Sequence, residues 1–167
     1  MASESHPQAG RTIARLARQL ELAVATVDLT VSQYRILAFL AEGNEAASAL
    51  AEKLAVSRPS VTGVVDGLVA RSLVRRSEDP ADRRRVGHDL TDAGRQVLGA
   101  AEAEVQRRLD EIVSHQPERA AEAFAGLRAW QEALDGYRQA RRAARARRAD
   151  PAVATAAPDL VRGATDA

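Results

Sequence analysis

The sequence predicts a mainly α-helical fold with one small β-hairpin. The chain is rich in alanine, and aromatic residues make up only 3% of its 167 residues, which suits closely packed helices better than a β-sandwich. Apolar residues recur at intervals of three and four through most of the chain, as on amphipathic helices. The exception is the segment from Leu73 to Thr91, where turn residues separate two short β-capable runs.

The length and composition favour one domain with appendages. The chain contains no cysteine, which excludes disulfides, thiolate metal sites and cysteine-based redox sensing. No apolar run approaches the ~20 residues of a membrane span. The N-terminus lacks the pattern of a secretory signal, so the sequence predicts a cytoplasmic protein.

Three helices are predicted in the first part of the chain. The first covers residues 11–27, where apolar residues form one stripe. The second begins at a cap supplied by Thr30 or Ser32 and stops at Gly43 and Asn44. The third is short, from about Ala46 to Leu54.

Three further helices follow. The fourth begins at the N-cap Ser57, accepts Pro59 in its first turn and ends near Arg71. After the hairpin, Thr91 caps a fifth helix from Asp92 to about His115, and Pro117 opens a sixth. The spacing of the third helix, a tight turn and the fourth helix is that of a helix-turn-helix.

The polar face of the fourth helix suits DNA. It presents Ser57, Arg58, Ser60, Thr62, Gly63 and Asp66. Amides at a helix N-terminus face phosphate, hydroxyls bond to base edges, and a glycine permits close approach. A solvated helix face is the alternative interpretation.

The hairpin predicts a wing. Its tip joins the turn residue Pro80 to three adjacent arginines, Arg83, Arg84 and Arg85, and arginines on such a tip can enter the narrow minor groove. The alternative is a solvated loop whose arginines pair with Glu78, Asp79 and Asp82. Because the wing directly follows a helix-turn-helix, the two together favour DNA binding.

These motifs resemble the MarR family of winged helix-turn-helix regulators. The matching residues are Leu29, Thr30 and Gln33, the helix Leu50 to Leu54, the run SRPSVTGVVDGLVARSLVRR, and Asp82, Arg84, Leu90 and Thr91 of the wing. The similarity covers roughly residues 11–140. It implies a homodimer whose N- and C-terminal helices interdigitate and whose two lobes bind a palindromic operator in double-stranded DNA.

The resemblance also implies roles for individual residues. The fourth helix is expected in the major groove and Arg84 in the minor groove, while Asp82 supports the wing by pairing with a nearby basic residue. The predicted DNA-binding residues are Ser57, Arg58, Pro59, Ser60, Thr62, Gly63, Arg75, Asp82, Arg83, Arg84 and Arg85. The expected organisation is a flexible N-terminus (1–10), a MarR-type domain (11–148) and a disordered tail (149–167). Within the domain, 29–91 form the DNA-binding lobe, and 11–28 and 92–148 the dimerisation helices.

The resulting hypothesis is a dimeric repressor released by a small apolar or phenolic effector. Leu22, Tyr34, Phe39, Val105 and Trp130 could line an effector pocket, although a plain core is the simpler interpretation of these residues. The alternative function is a winged protein-interaction module that does not read DNA. The sequence contains no catalytic set, so we do not expect an enzyme, and its three dispersed histidines, His6, His88 and His115, predict neither a metal nor a cofactor.

Charge is unevenly distributed, although the net charge is only +1. Residues 138–148 contain six arginines and no acidic residue, which departs from the compact ending of the family. This run either contacts phosphate independently of base sequence or forms a frayed, solvated extension.

Overall fold

The computed structural model describes residues 8–42, 45–46, 50, 57–78 and 86–149. The helices are α1 (Ala9–Ala25), α2 (Val31–Ala41), α3 (Arg58–Ala70), α4 (Asp92–Val113) and α5 (Ala120–Ala149), and the strands are β1 (Glu45–Ala46), β2 (Val74–Glu78) and β3 (Val86–Leu90). A 3-10 turn, Pro117–Arg119, precedes α5. The chain divides into two compact units, the first ending at Ile112 and the second beginning at Val113. The predicted mainly helical fold with a β-hairpin is confirmed.

The three strands form one antiparallel sheet in the order β1-β3-β2. Strand β1 was not predicted: Glu45 and Ala46 pair with His88 and Gly87 of β3, whereas the sequence placed Ala46 in the third helix. That placement is wrong because a two-residue strand is too short to show alternation and is held by hydrogen bonds to β3. The rest of the predicted third helix lies outside the described residues, except for the fully buried Leu50.

Helix α2 begins with a capping box. The Oγ1 atom of Thr30 accepts a hydrogen bond from the amide of Gln33 at 3.2 Å, and Oε1 of Gln33 accepts one from the amide of Thr30 at 2.8 Å. Two amides that have no partner within the helix are thereby satisfied. Of the two candidate caps, Thr30 is therefore the one used, and the predicted stop at Gly43 and Asn44 lies outside the described residues.

One apolar core joins the helices of the first unit to the sheet. Its fully buried side chains come from α1, α2, α3, β2 and Leu50, namely Val24, Ile36, Leu37, Leu50, Val61, Val65, Leu68 and Val74. Leu98 and Ala101 of α4 belong to the same cluster. Helix α3 contributes three of these residues at helical spacing, so its inner face is fixed and its outer face is left for solvent.

The end of α3 is tied to the turn after α1 by Arg71. One guanidinium nitrogen of Arg71 donates to the backbone carbonyl of Asp28 at 2.8 Å, and the other lies 3.2 Å from the Asp28 carboxylate. Asp28 and Ser72 both adopt left-handed backbone conformations, with φ of 56° and 57°. The chain therefore turns sharply at both ends of this contact.

The start of α4 packs directly on the start of β2. The hydroxyl of Thr91 donates to the Ser72 carbonyl at 2.7 Å and accepts from the amide of Gly94 at 2.9 Å, which confirms the predicted N-cap. The amide of Thr91 donates to the Leu73 carbonyl at 3.2 Å. A Cβ atom on Gly94 would lie 2.0 Å from that same carbonyl oxygen, so only glycine fits at this position.

We expect Gly94→Ala to lower the free energy of unfolding by about 2 to 3 kcal/mol, because the new methyl group overlaps backbone that cannot rotate away. Gly99→Ala on the same helix is the matched control, since a Cβ there meets nothing within 4 Å; we expect it to stabilise the protein by about 0.5 to 1 kcal/mol. Urea unfolding followed by circular dichroism measures both. Equal stability of the two variants would show that the Gly94 contact is not tight.

Candidate nucleic-acid interface

The first turn of α3 is capped by Ser57, as the sequence predicts. The Oγ atom of Ser57 accepts a hydrogen bond from the amide of Ser60 at 3.3 Å, and the hydroxyls of these two serines lie 2.7 Å apart. Pro59 occupies the first turn, where its lack of an N–H has no cost. The polar N-terminus of the helix is thus built from its own local sequence.

The outer face of α3 is polar and open. Pro59, Ser60, Thr62, Gly63 and Asp66 are exposed, on the side away from the buried valines and Leu68. A Cβ at Gly63 would meet nothing within 4 Å. The face therefore combines short polar side chains with free space, which allows another molecule to approach the helix backbone.

A short ion pair joins this face to the hairpin. A guanidinium nitrogen of Arg76 on β2 lies 2.6 Å from the Oδ1 atom of Asp66 on α3. Arg76 was not among the predicted site residues. Strand alternation was the signal that could have identified it, because Arg76 lies two residues after the buried Val74 and so shares its face of the sheet.

The neighbouring Arg75, which was predicted as a site residue, lies on the other face of β2. Its side chain is 70% exposed, and its Nη2 atom lies 3.5 Å from the Oδ2 atom of Asp89. The two residues are cross-strand partners in the antiparallel ladder. The structure therefore separates the two adjacent arginines, with Arg76 bound to α3 and Arg75 beside β3.

The hairpin is in register up to the predicted wing tip. Strands β2 and β3 pair from Val74 with Leu90 to Glu78 with Val86, so residues 79–85 connect the last pair. The predicted Asp82, Arg83, Arg84 and Arg85 belong to this connection and lie outside the described residues, as does the side chain of Arg58. The structure thus defines the two strands that lead into and out of the tip.

Within the described residues, no group of three or more histidine, aspartate or glutamate residues is arranged to hold a metal ion. None of the helices that the structure describes is long and apolar enough to cross a membrane. The polar face of α3 and the adjoining hairpin remain the candidate site.

Comparison with known proteins identifies the family of the chain. Residues 27–85 match the model of the MarR family. A curated relative, the transcriptional repressor NicR of Pseudomonas putida, is 38% identical over 73 residues, which are 43% of this chain and 46% of NicR. The chain spans about half the length of the curated relatives it matches, and all of these relatives are named as transcriptional regulators.

Solved structures are similar over most of the chain. The transcriptional regulator BldR of Sulfolobus solfataricus is 30% identical with a TM-score of 0.60, covering 75% of this chain and 93% of BldR. The transcriptional repressor CouR, solved with a 23-mer DNA duplex, is 25% identical with a TM-score of 0.60, covering 77% of this chain and 97% of CouR. The resemblance seen in the sequence is confirmed, and the chain belongs to the MarR family of winged-helix transcriptional regulators.

Proposed function

We propose that the protein is a sequence-specific DNA-binding transcriptional regulator, a repressor that acts as a homodimer. The observation that carries this proposal is the outer face of α3, which is polar, open at Gly63 and backed by a buried apolar face. The names of the relatives support it, since NicR is a repressor and CouR is a repressor that binds a DNA duplex.

In this proposal α3 enters the major groove. The hydroxyls of Ser57 and Ser60 contact a phosphate at the positive end of the helix dipole, because a helix N-terminus favours negative charge. Thr62 lies one turn further along the exposed face and contacts a base edge. Gly63 lets the helix backbone approach the bases without a side chain in between.

The pair between Asp66 and Arg76 then has two effects. A carboxylate on a groove-facing helix repels phosphate, and a guanidinium at 2.6 Å offsets that charge. The pair also links α3 to β2 and so favours one relative position of the helix and the hairpin when both meet DNA. Both side chains are about half exposed, so its contribution to folding stability is small.

The wing is proposed to contact the minor groove through Arg84, as the family resemblance implies. Arg83 and Arg85 of the tip, Arg75 on β2 and Arg58 on α3 are proposed as phosphate contacts, and Asp82 as support for the tip. The support from the structure is the antiparallel pairing of β2 with β3, which leads the chain into residues 79–85.

The proposed homodimer is supported by apolar side chains that the chain leaves exposed. On α5, Leu127, Trp130, Leu134 and Tyr137 follow one another at intervals of three and four, and they are 43% to 66% exposed. Ile13 on α1 is also 61% exposed. Large apolar side chains repeated on one helix face are typical of a protein interface. Two copies would read the two halves of a palindromic operator, about one helical turn apart, ~34 Å.

Release by a small apolar or phenolic effector is proposed from the family resemblance. Of the residues suggested to line a pocket, Phe39 is buried in the core, Tyr34 and Val105 pack against it, and Leu22 and Trp130 are exposed. Burial raises the pKa of the Tyr34 phenol above its ordinary value, and the nearby charge of Glu102 raises it further. The Tyr34 phenol therefore keeps its proton at neutral pH.

Substitution of Gly63 tests whether the outer face of α3 reads DNA. Gly63→Gln adds a side chain where the free protein has space, so folding is preserved, but the side chain obstructs the groove. We expect affinity for a duplex selected by the wild-type protein from a random pool to fall at least about tenfold, the value of one base contact. Gly99→Gln, at another open helix position, is the control. If both variants bind like the wild type in a mobility-shift titration, α3 does not read DNA.

Substitution of Arg84 tests the wing. We expect Arg84→Ala to weaken binding to the same selected duplex by about 1 to 3 kcal/mol, because a groove contact is lost. Arg128→Ala, which removes an exposed arginine of α5, controls for the change in net charge. Unchanged affinity of the Arg84 variant alongside a normal control would exclude the wing assignment.

The dimer is tested by placing charge on the exposed apolar face of α5. We expect Trp130→Glu with Leu134→Glu to shift the protein from dimer to monomer in sedimentation velocity at micromolar concentration, because buried unpaired carboxylates are costly. Ala125→Glu with Gln139→Glu adds the same charge at exposed positions on the opposite face of this helix and should remain dimeric. A wild-type protein that sediments as a folded monomer contradicts the proposal directly.

A further inference from the structure

The end of α5 carries a basic surface that the proposed function does not use. Helix α5 continues without a break to Ala149, and residues 136–149 contain six arginines and no acidic residue. Five of these arginines, Arg138, Arg141, Arg142, Arg145 and Arg148, are here called the arginine stripe. We propose that the arginine stripe binds phosphates of double-stranded DNA independently of base sequence. This inference rests on the proposed function and adds a contact that does not read sequence.

Helix geometry brings the five positions together. At 3.6 residues per turn they fall within an arc of about 120°, and from first to last they span about 15 Å. Each strand of a duplex carries one phosphate for every ~3.4 Å of its axis, or about four phosphates over the same length. The cationic positions and the phosphates of one strand therefore have a similar linear density.

Beyond Arg138, the sequence around the stripe does not offer the acidic neighbours that other arginines have. Arg95 pairs with Asp92, Arg107 with Glu104 and Arg119 with Glu122, each three residues apart. The last such pair on α5 joins Arg138 to Asp135 at 3.5 Å. Beyond it, Arg141, Arg142, Arg145 and Arg148 have no acidic residue three or four positions away.

The spacing within the stripe instead sets like charges against one another. Arg138 and Arg142, and Arg141 and Arg145, are separated by four residues, a separation at which like charges destabilise a helix. The one described contact of Arg141 is with an aromatic ring, since its guanidinium lies 5.8 Å from the centre of Tyr137. A polyanion removes the repulsion by supplying the missing opposite charge, and arginine binds phosphate with a fork of donors.

DNA fits this surface better than a second copy of the chain does. Five of the eight acidic side chains on α4 and α5 already pair with arginines of their own segment, namely Asp92, Glu104, Glu111, Glu122 and Asp135. A duplex offers an unbroken row of charge. The exposed apolar positions of α5 end at Tyr137, so the helix changes from an apolar to a basic surface within one turn.

The test compares two triple variants that lose the same charge. The stripe variant is Arg141→Gln, Arg142→Gln and Arg145→Gln, and the control is Arg107→Gln, Arg119→Gln and Arg128→Gln, at positions that are exposed. Glutamine keeps the helix propensity of arginine, and circular dichroism and sedimentation confirm that each variant retains its helix content and assembly. Binding is titrated between about 50 and 200 mM salt on a duplex of unrelated sequence, about 40 base pairs long.

We expect the stripe variant to bind this duplex about tenfold more weakly at low salt and to give a plot of log affinity against log salt that is shallower by at least about 1.8, the loss of two phosphate contacts. The control variant should keep the wild-type slope. Equal slopes for all three proteins overturn the proposal, and so does a wild-type protein that binds no duplex. A stripe variant that loses binding to anionic phosphatidylglycerol vesicles while keeping its DNA slope would also overturn it, in favour of a membrane surface.

The same measurements separate this inference from the proposed function. Gly63→Gln should lose preference for the selected duplex yet retain the stripe-dependent slope on unrelated DNA. If the salt slope depends on the stripe but the wild-type protein prefers no sequence, only the proposed function is contradicted. If the wild-type protein prefers the selected duplex but its salt slope does not depend on the stripe, only this inference is contradicted.

Discussion

The close approach of Gly94 to the Leu73 carbonyl is the constraint on which the rest of the first unit depends. Leu73 lies in the turn between α3 and β2, immediately before Val74, and Gly94 lies in the first turn of α4. The missing side chain of Gly94 lets these backbones touch, and the Thr91 hydroxyl bonds to both Ser72 and Gly94. The end of α3, the start of the hairpin and the start of α4 therefore meet at one point. A shift at this point would move the exposed face of α3 and the wing together.

Local chemistry explains which parts of this arrangement could be predicted from the sequence. The caps at Ser57 and Thr91 depend on residues within a few positions, and both were identified correctly. The choice between Thr30 and Ser32 needed the structure, because either hydroxyl could cap a helix and only the reciprocal bond to Gln33 decides between them. The inner face of α3 followed from the spacing of its valines.

The features that sequence reasoning missed depend on contacts between distant segments. Strand β1 consists of two residues whose only signature is pairing with Gly87 and His88. Strand alternation places Arg76 and Arg75 on opposite faces of β2, but only the structure shows that the face of Arg76 turns toward Asp66 of α3. The specific roles of Asp82 and Arg84 rest on the family resemblance, and residues 79–85 lie outside the described residues.

The open space at Gly63 has a consequence for how such a protein can change over evolutionary time. The side of α3 that holds the fold together and the side that faces outward share no residue. A substitution at Gly63 meets no other part of the chain, so selection for a different operator is not opposed by selection for stability there. The coupled hydroxyls of Ser57 and Ser60 lack this independence, because one of them also caps the helix. Binding preference is thus expected to diverge most readily in the middle of α3 and least readily at its start.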